Sequence, residues 1–287
     1  MTRKRLNIDG VLVRLRSIEP SLKPAEGRVA SYIMSNPESI IHMPITELAE
    51  KCDTAEATVV RVCKKIGCSG YQDLKIALSK SLVEPLKNIH EEISVDDDTR
   101  SLATKVFFSA KKSLEDTFHI LDFRQVENAV MAMASASKID FYGSASSGII
   151  AMDAHHKMLK TGLITAAYND PHMQVISASL LTCKDVAVGI SHSGSNKDVI
   201  QSLRVAKEAG AKTICITSYM KSPITKVSDI HLFVAANETT FRTEAMAARL
   251  SQLCLIDLLV VGVSLLRQEE TLQAIEQIRQ GIALKRF

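Results

Sequence analysis

Five short runs of β-forming residues alternate with helical segments between residues 138 and 234, and this alternation constrains the fold more than any other feature. It is typical of a parallel sheet that is covered by helices on both faces. Two long helical segments, at about 241–266 and 269–283, follow the last run. The predicted strands are Lys138–Tyr142, Leu163–Tyr168, Asp185–Ile190, Thr213–Thr217 and His231–Val234.

The N-terminal part of the chain has helical signals alone. Thr46 is a candidate N-cap for a helix over 47–51, and a second helix over 56–66 ends before Gly67. A further helix follows at about 71–82, and the acidic stretch 91–99 lacks apolar periodicity. The fold class is therefore α/β with two domains. We expect an all-α bundle over 1–83, a linker over 84–99 and an α/β/α domain with a five-stranded parallel sheet over 100–287.

The distribution of charge separates the same two regions. Residues 1–90 contain 14 Lys and Arg against 10 Asp and Glu, whereas residues 91–287 contain the remaining 21 against 22. The basic excess therefore lies at the N-terminal end, as expected if that end meets a polyanion. Tryptophan is absent and aromatic residues make up 5% of the chain, so we expect an aliphatic core.

The two short helices at 47–51 and 56–66 have the spacing of a helix-turn-helix, whose second helix enters the major groove of DNA. A stripe of apolar residues on the second helix, at positions 59, 62 and 66, is expected to pack inward. A small helical dimerisation bundle with a solvated charged face would have the same spacing, and spacing alone does not separate the two. The candidate DNA-binding residues are Thr58, Arg61 and Lys65 on one face, with Lys64 beside them.

Two serine-rich turns lie between a predicted strand and a helix. The first is Gly143-Ser-Ala-Ser-Ser-Gly148, and the second follows Ile190 as Ser191-His-Ser-Gly-Ser-Asn-Lys197. Free backbone N–H groups at a helix N-terminus, the helix dipole and serine hydroxyls all favour a phosphate. Each turn alone is also compatible with a simple capped turn. Because ligands bind outside the carboxyl ends of parallel strands, two such turns predict one shared phosphate site.

The N-terminal segment Ile45–Gly67, followed by Gly70-Tyr-Gln-Asp-Leu-Lys75, resembles the N-terminal domain of RpiR-family transcription regulators. This resemblance implies that the segment is a DNA-binding unit. One departure is visible, since the family usually has Ser where Ala55 stands, as the cap of the reading helix. Thr54 is then an alternative cap, or the helix is less well anchored at its start.

The pair Gly143-x-x-Ser-Ser147 and Ser191-His-Ser-Gly194 resembles the SIS domain, which is found in phosphosugar isomerases and RpiR regulators. The resemblance covers about 101–287. It implies that the serines of both turns hold the phosphate of a sugar phosphate, while Glu238 faces the sugar hydroxyls. Ala145 replaces a usual glycine, and Asn196 a usual Thr or Ser. The candidate effector-binding residues are Gly143, Ser144, Ser146, Ser147, Ser191, Ser193, Ser195, Asn196 and Glu238.

These features together predict a non-enzymatic regulator of sugar catabolism, of the repressor type, whose operator binding responds to a phosphosugar. Its expected partners are operator DNA, the phosphosugar and further copies of itself, as a dimer or tetramer. A rival is an aldose–ketose isomerase, in which Glu238 or a histidine serves as the base. A scaffolding module without DNA would leave the basic residues Arg61, Lys64 and Lys65 unexplained.

The six cysteines are scattered, with no C-x-x-C pair and no zinc-like spacing, so neither a metal nor a cofactor is predicted. We expect buried thiols in a reducing compartment.

The longest apolar stretch, 253–266, is interrupted by Asp257 and is too short to span a bilayer. A cytoplasmic protein is therefore expected. His155 and His156 are expected to be solvated or to line the core.

Overall fold

The computed structural model describes residues 10–83, 93–235 and 244–283, without the side chains of residues 80–83 and 244–247. The chain divides into two compact units. The first comprises Met1–Phe108 and Phe118–Ile120, and the second comprises Ser109–Thr117 and Leu121–Phe287. Helix α7 (Thr99–Ile120) contributes residues to both units. The division into 1–83, 84–99 and 100–287 stays a prediction.

The first unit is built from short helices around an aliphatic core. Helix α2 contacts α5, α4 contacts α5, and α3 contacts α6. Pro24 and Pro37 each begin a helix, where a missing backbone N–H has no cost. The fully buried side chains include Leu15, Val29, Ile33, Leu48, Val59, Val62 and Leu74. The helices are α1 (Val11–Ile18), α2 (Pro24–Ser35), α3 (Pro37–His42), α4 (Ile45–Lys51), α5 (Glu56–Lys65) and α6 (Tyr71–Val83).

The second unit contains a five-stranded parallel sheet in the order β2-β1-β3-β4-β5. Every strand bound lies within one residue of its predicted position. Strand β1 pairs with β2 on one side and with β3 on the other, with Tyr142 opposite both Tyr168 and Gly189. The strands are β1 (Lys138–Tyr142), β2 (Ile164–Tyr168), β3 (Val186–Ile190), β4 (Lys212–Thr217) and β5 (Ile230–Phe233).

Helices cover both faces of this sheet, as predicted. One face packs against α8, α9 and α12 through side chains such as Ile139, Phe141 and Val188. The other face packs against α10 and α11 through Tyr142, Ala187 and Cys215. The helices of this unit after α7 are α8 (Phe123–Ala134), α9 (Ser146–Met158), α10 (Pro171–Ser179), α11 (Lys197–Glu208), α12 (Glu244–Leu266) and α13 (Gln268–Ala283).

Helix α12 is, over Ala248–Leu266, long and apolar enough to cross a membrane by length and composition. The sequence stretch 253–266 did not indicate this. However, α12 contacts α8 and α9, and Leu255, Ile256, Leu259 and Val263 are buried in the same core as the sheet. This packing is that of a core helix of an α/β domain.

Candidate effector pocket and DNA-reading helix

The first serine turn joins β1 to α9 through a close backbone approach. A Cβ at Gly143 would lie 2.5 Å from the carbonyl oxygen of Ser147, so only glycine fits there. The buried Gln174 on α10 donates from Nε2 to the carbonyl oxygens of Gly143 (3.1 Å) and Tyr168 (3.0 Å). The turn is therefore fixed from the helix that follows the neighbouring strand.

Ala145 lies in this turn with φ 50° and ψ −123°, a conformation that favours glycine. It is the N-cap residue of α9, and its side chain makes no capping hydrogen bond. Its side chain is exposed and does not line the pocket described below. The departure from the usual glycine therefore acts on the backbone of the turn.

The second serine turn joins β3 to α11 and is supported by the turn after β4. Gly194 has φ 62°, and a Cβ there would lie 2.2 Å from Ser222 Oγ. Thr217 Oγ1 donates to the carbonyl oxygen of His192 (3.0 Å). Asn196 caps α11, because its Oδ1 accepts from the backbone N–H of Val199 (3.0 Å).

The two turns meet in one cavity because β1 and β3 are neighbours in the sheet. Helices α9 and α11, which begin at the two turns, lie on opposite faces of the sheet. Their N-termini thus flank a crevice at the carboxyl ends of two parallel strands, where such sheets bind ligands. The cavity has a volume of about 160 Å³ and is lined by Ser144, Ser146, Ser147, Ile190, Ser191, His192, Ser193 and Asn196.

Six of the nine candidate effector residues line this cavity: three serines of the first turn, Ser191 and Ser193 of the second, and Asn196. Gly143 lies behind them in the backbone. Ser195 is exposed and does not line the cavity; its backbone N–H and its Oγ donate to Ser193 Oγ and Ser193 O, both at 3.3 Å. Glu238 lies outside the described residues. The binding roles of all nine stay predictions.

The described wall of the cavity is rich in hydrogen-bonding side chains. Its polar side chains are hydroxyls, one amide and one imidazole, with no Lys, Arg, Asp or Glu among the described lining residues. The buried Ser144 Oγ has no hydrogen-bond partner within the described part of the chain. A buried hydroxyl without a partner is costly, so this atom is suited to a bound ligand. Neutral donors and two helix N-termini together can hold an anion.

His192 was not among the candidate residues, although it lies between Ser191 and Ser193 in the second turn. Its Nδ1 lies 3.0 Å from Ser218 Oγ, and its ring packs edge-on against Tyr219 with the centroids 5.8 Å apart. These contacts come from the turn after β4, which is distant in sequence. The signal in the sequence was the position of His192 inside the Ser-x-Ser-Gly motif.

In the first unit, α4 and α5 form the predicted helix-turn-helix. Asp53 in the connecting turn has φ 47°, and Arg28 on α2 donates from Nε to Cys52 O (2.8 Å) and from Nη2 to Asp53 O (2.6 Å). Ala55 is the N-cap residue of α5 and makes no side-chain capping bond. Arg28 therefore fixes the turn that leads into α5, and α5 starts without a side-chain cap.

The apolar stripe of α5 packs inward as predicted, since Val59, Val62 and Ile66 are buried. The exposed face of α5 differs from the predicted one. Arg61 and Lys64 are exposed, whereas Thr58 is 4% exposed and accepts a hydrogen bond from Arg61 Nη2 at 2.8 Å. Lys65 pairs with the buried Glu26 of α2. Residues 57, 60, 61 and 64 thus share the outward face, and the structure places Thr58 beneath it.

Burial favours the protonated form of the Cys63 and Cys68 thiols in the helix-turn-helix unit. Burial raises the pKa of Cys63 to about 12 and that of Cys68 to about 11. Elsewhere, burial raises the pKa of Cys215 to about 11. Among the described residues, no three His, Cys, Asp or Glu side chains are grouped as metal ligands.

Comparison with known proteins identifies two domain families in the chain. A model of the helix-turn-helix domain of the rpiR family matches residues 9–85, and a model of the SIS domain matches residues 132–262. An HTH-type transcriptional regulator of Caldanaerobacter subterraneus subsp. tengcongensis is 37% identical over 96% of this chain and 98% of its own length. The chain belongs to the RpiR family of transcription regulators.

Two further relatives extend the comparison of this RpiR-family chain. The bifunctional protein glk of Burkholderia orbicola is 36% identical over 95% of the chain, which spans 42% of that longer protein. The structure of the Vibrio vulnificus NanR protein complexed with ManNAc-6P matches with a TM-score of 0.62 and 27% identity, covering 96% of this chain and 99% of NanR.

Proposed function

We propose that this RpiR-family regulator binds a sugar phosphate between its two serine turns and that this ligand modulates its binding to operator DNA. One observation supports the effector site above all. The turns after the adjacent strands β1 and β3 line a single cavity, and a helix begins at each of them. That NanR was solved with a phosphorylated sugar supports the same ligand class.

The effector site is proposed to consist of the serines and the amide that line the cavity, supported by the Gly143 backbone. Hydrogen bonds to a charged group stabilise binding by about 1.5–3 kcal/mol each, so several hydroxyls suffice for specific phosphate binding. Ser195 and Glu238 are kept as candidates beside this set. The proposed residues are Gly143, Ser144, Ser146, Ser147, Ser191, Ser193, Ser195, Asn196 and Glu238.

The DNA-binding half of the proposal rests on α5. Arg61 can form paired hydrogen bonds with a base edge or a phosphate, and Lys64 can contact a phosphate. Thr58 supports Arg61 from below. We propose that the chain acts in the cytoplasm as a repressor of sugar catabolism, with 1–83 as the DNA-binding domain, 84–99 as a linker and 100–287 as the effector domain.

Control of DNA binding further requires two arrangements of the protein between which the effector discriminates. A ligand that binds both arrangements equally well shifts nothing. We therefore propose a symmetric dimer or tetramer that reads a palindromic operator.

A thermal-shift screen of phosphorylated sugars tests the effector site directly. A ligand present at 100 times its dissociation constant stabilises the folded state by about 2.7 kcal/mol, which is readily measured. The proposal predicts a rise in Tm with one sugar phosphate and none with the corresponding free sugar. An equal rise with both would contradict a phosphate site, and no rise across the panel would contradict the proposed ligand class.

The proposed regulator is not an enzyme, and the rival isomerase function is tested by turnover. Among the described residues that line the cavity, His192 is the one side chain that ordinarily acts as a base. NMR of the stabilising sugar phosphate, incubated with the protein, is expected to show no aldose–ketose interconversion. Interconversion by the natural protein would establish the isomerase instead, and its loss in the His192→Gln variant would assign the base to His192.

A further inference from the structure

Helix α2 places a buried carboxylate beside the DNA-reading helix α5. Glu26 is 4% exposed, and its Oε2 accepts from the backbone N–H of Lys23 at 3.1 Å. The same oxygen pairs with Lys65 Nζ. The side chain of Lys65 is 26% exposed, and its pairing with Glu26 directs its ammonium toward α2. The preceding residue, Lys64, is exposed.

A carboxylate at this depth needs a partner, because an isolated buried charge is strongly unfavourable. The hydrogen bond from Lys65 is the largest cause of a lowered pKa of Glu26, and it outweighs the opposing effect of burial. Arg61 lies close enough to add a smaller electrostatic effect in the same direction. Glu26 is therefore ionised at neutral pH, and its charge holds Lys65 in place.

The same pair has a consequence for DNA binding. Helix α5 contains three cations in its last five residues, Arg61, Lys64 and Lys65. Each cation that contacts a phosphate releases counterions and strengthens binding to any DNA sequence. With Lys65 paired to Glu26, only Arg61 and Lys64 remain on the outward face of α5.

We propose that Glu26 is a positioning residue that keeps Lys65 away from the DNA backbone and so limits the sequence-independent affinity of α5 for DNA. This inference rests on the proposed reading of DNA by α5, but it is independent of any effector. It predicts that two adjacent lysines contribute differently to DNA binding, although both belong to the basic surface predicted from the sequence.

The salt dependence of binding tests this inference, measured by fluorescence anisotropy with a short duplex that lacks an operator. A lysine that contacts a phosphate adds about 0.9 to the slope of log affinity against log salt. The matched variants Lys64→Met and Lys65→Met are expected to differ: the first loses about 0.9 of slope, whereas the second keeps the slope of the natural protein. Equal losses in both would overturn the proposal.

Removal of the carboxylate gives the complementary result. The Glu26→Gln variant frees Lys65, so its slope is expected to steepen by about 0.9, and the double variant Glu26→Gln/Lys65→Met is expected to return to the slope of the natural protein. An unchanged slope in folded Glu26→Gln overturns the proposal. If Glu26→Gln does not fold, the slope of the double variant is compared with that of Lys64→Met. The double variant is expected to keep the slope of the natural protein, whereas Lys64→Met loses about 0.9.

The failure of this inference is distinguishable from failure of the proposed function. Absence of DNA binding by the natural protein would refute both. DNA binding with the wrong pattern of slopes would refute the role of Glu26 alone.

Discussion

The proposed DNA-reading helix α5 and the proposed effector cavity would each bind an anion, but with opposite chemistry. Helix α5 presents the cations Arg61 and Lys64 on an exposed face. The cavity presents hydroxyls, an amide and two helix N-termini, with no Lys or Arg among its described lining residues. A long polyanion is bound by charge over many contacts, whereas one phosphate in a small cavity is bound by directed donors.

The largest expected effect is that of Gly143→Ala on the cavity. The added Cβ would meet the backbone carbonyl of Ser147 at 2.5 Å, so the first turn or the start of α9 must move. We expect the affinity for the sugar phosphate to fall by up to roughly a hundredfold, which corresponds to about 3 kcal/mol of binding free energy. Isothermal titration calorimetry measures this affinity.

The matched control is Gly281→Ala, at a helical position where a Cβ would have nothing within 4 Å. This variant is expected to bind the effector normally. If Gly143→Ala also bound it normally, the first turn would have no part in the site.

The next effect is that of Arg61→Ala on the other region. A well-placed arginine contact to a base edge is worth about 1–3 kcal/mol, so operator affinity is expected to fall roughly tenfold to a hundredfold. Effector binding is expected to be unchanged. Anisotropy with operator DNA and a thermal shift with the effector measure the two outcomes, and loss of both would indicate misfolding and remove the support for α5 as the reading helix.

These two variants also show what the sequence could and could not predict. The strands and the glycine and serine turns follow from local patterns. The glycine at 143 is required by the backbone, which admits no side chain there. The two turns meet because β1 and β3 are adjacent in the sheet. The outward face of α5 could not be predicted fully. Thr58 and Lys65 have the spacing of surface residues, but Arg61 and a buried carboxylate on another helix determine where they point.

Similarly, His192 lies in the second serine turn, yet its position in the cavity depends on Ser218 and Tyr219, which no local pattern links to it. The strained backbone of Ala145 was visible only as a departure from the usual glycine. Local patterns therefore predicted the frame of the site, and contacts between distant segments decided its details.

A smaller effect is expected for Thr58→Val. Valine keeps the shape of the buried side chain but removes the oxygen that accepts from Arg61 Nη2. The loss of this orienting bond is expected to cost about 0.5–1 kcal/mol, a roughly two- to fivefold decrease in operator affinity. In a double-mutant cycle, Thr58→Val is expected to have no effect on top of Arg61→Ala. Additive effects would show that Thr58 acts independently of Arg61.

The smallest effect on binding is expected for Ala145→Gly, because Ala145 does not line the cavity and its replacement acts on the stability of the first turn. Glycine adopts φ 50°, ψ −123° without the strain of a Cβ, so the folded state is expected to gain about 1 kcal/mol despite the greater freedom of the unfolded chain. Thermal unfolding measures this gain as a modest rise in Tm. A lower Tm would mean that the turn is not strained at Ala145.

Control of DNA binding by the effector is tested by the operator affinity measured with and without the stabilising sugar phosphate, for the natural protein and for Ser144→Ala/Ser191→Ala. These hydroxyls line the cavity, and neither serine lies in the helix-turn-helix unit. We expect the sugar phosphate to change the operator affinity of the natural protein, while the variant binds the operator equally well but no longer responds. A response that persists in the variant, or a stabilising sugar phosphate that leaves the operator affinity of the natural protein unchanged, would contradict this expectation.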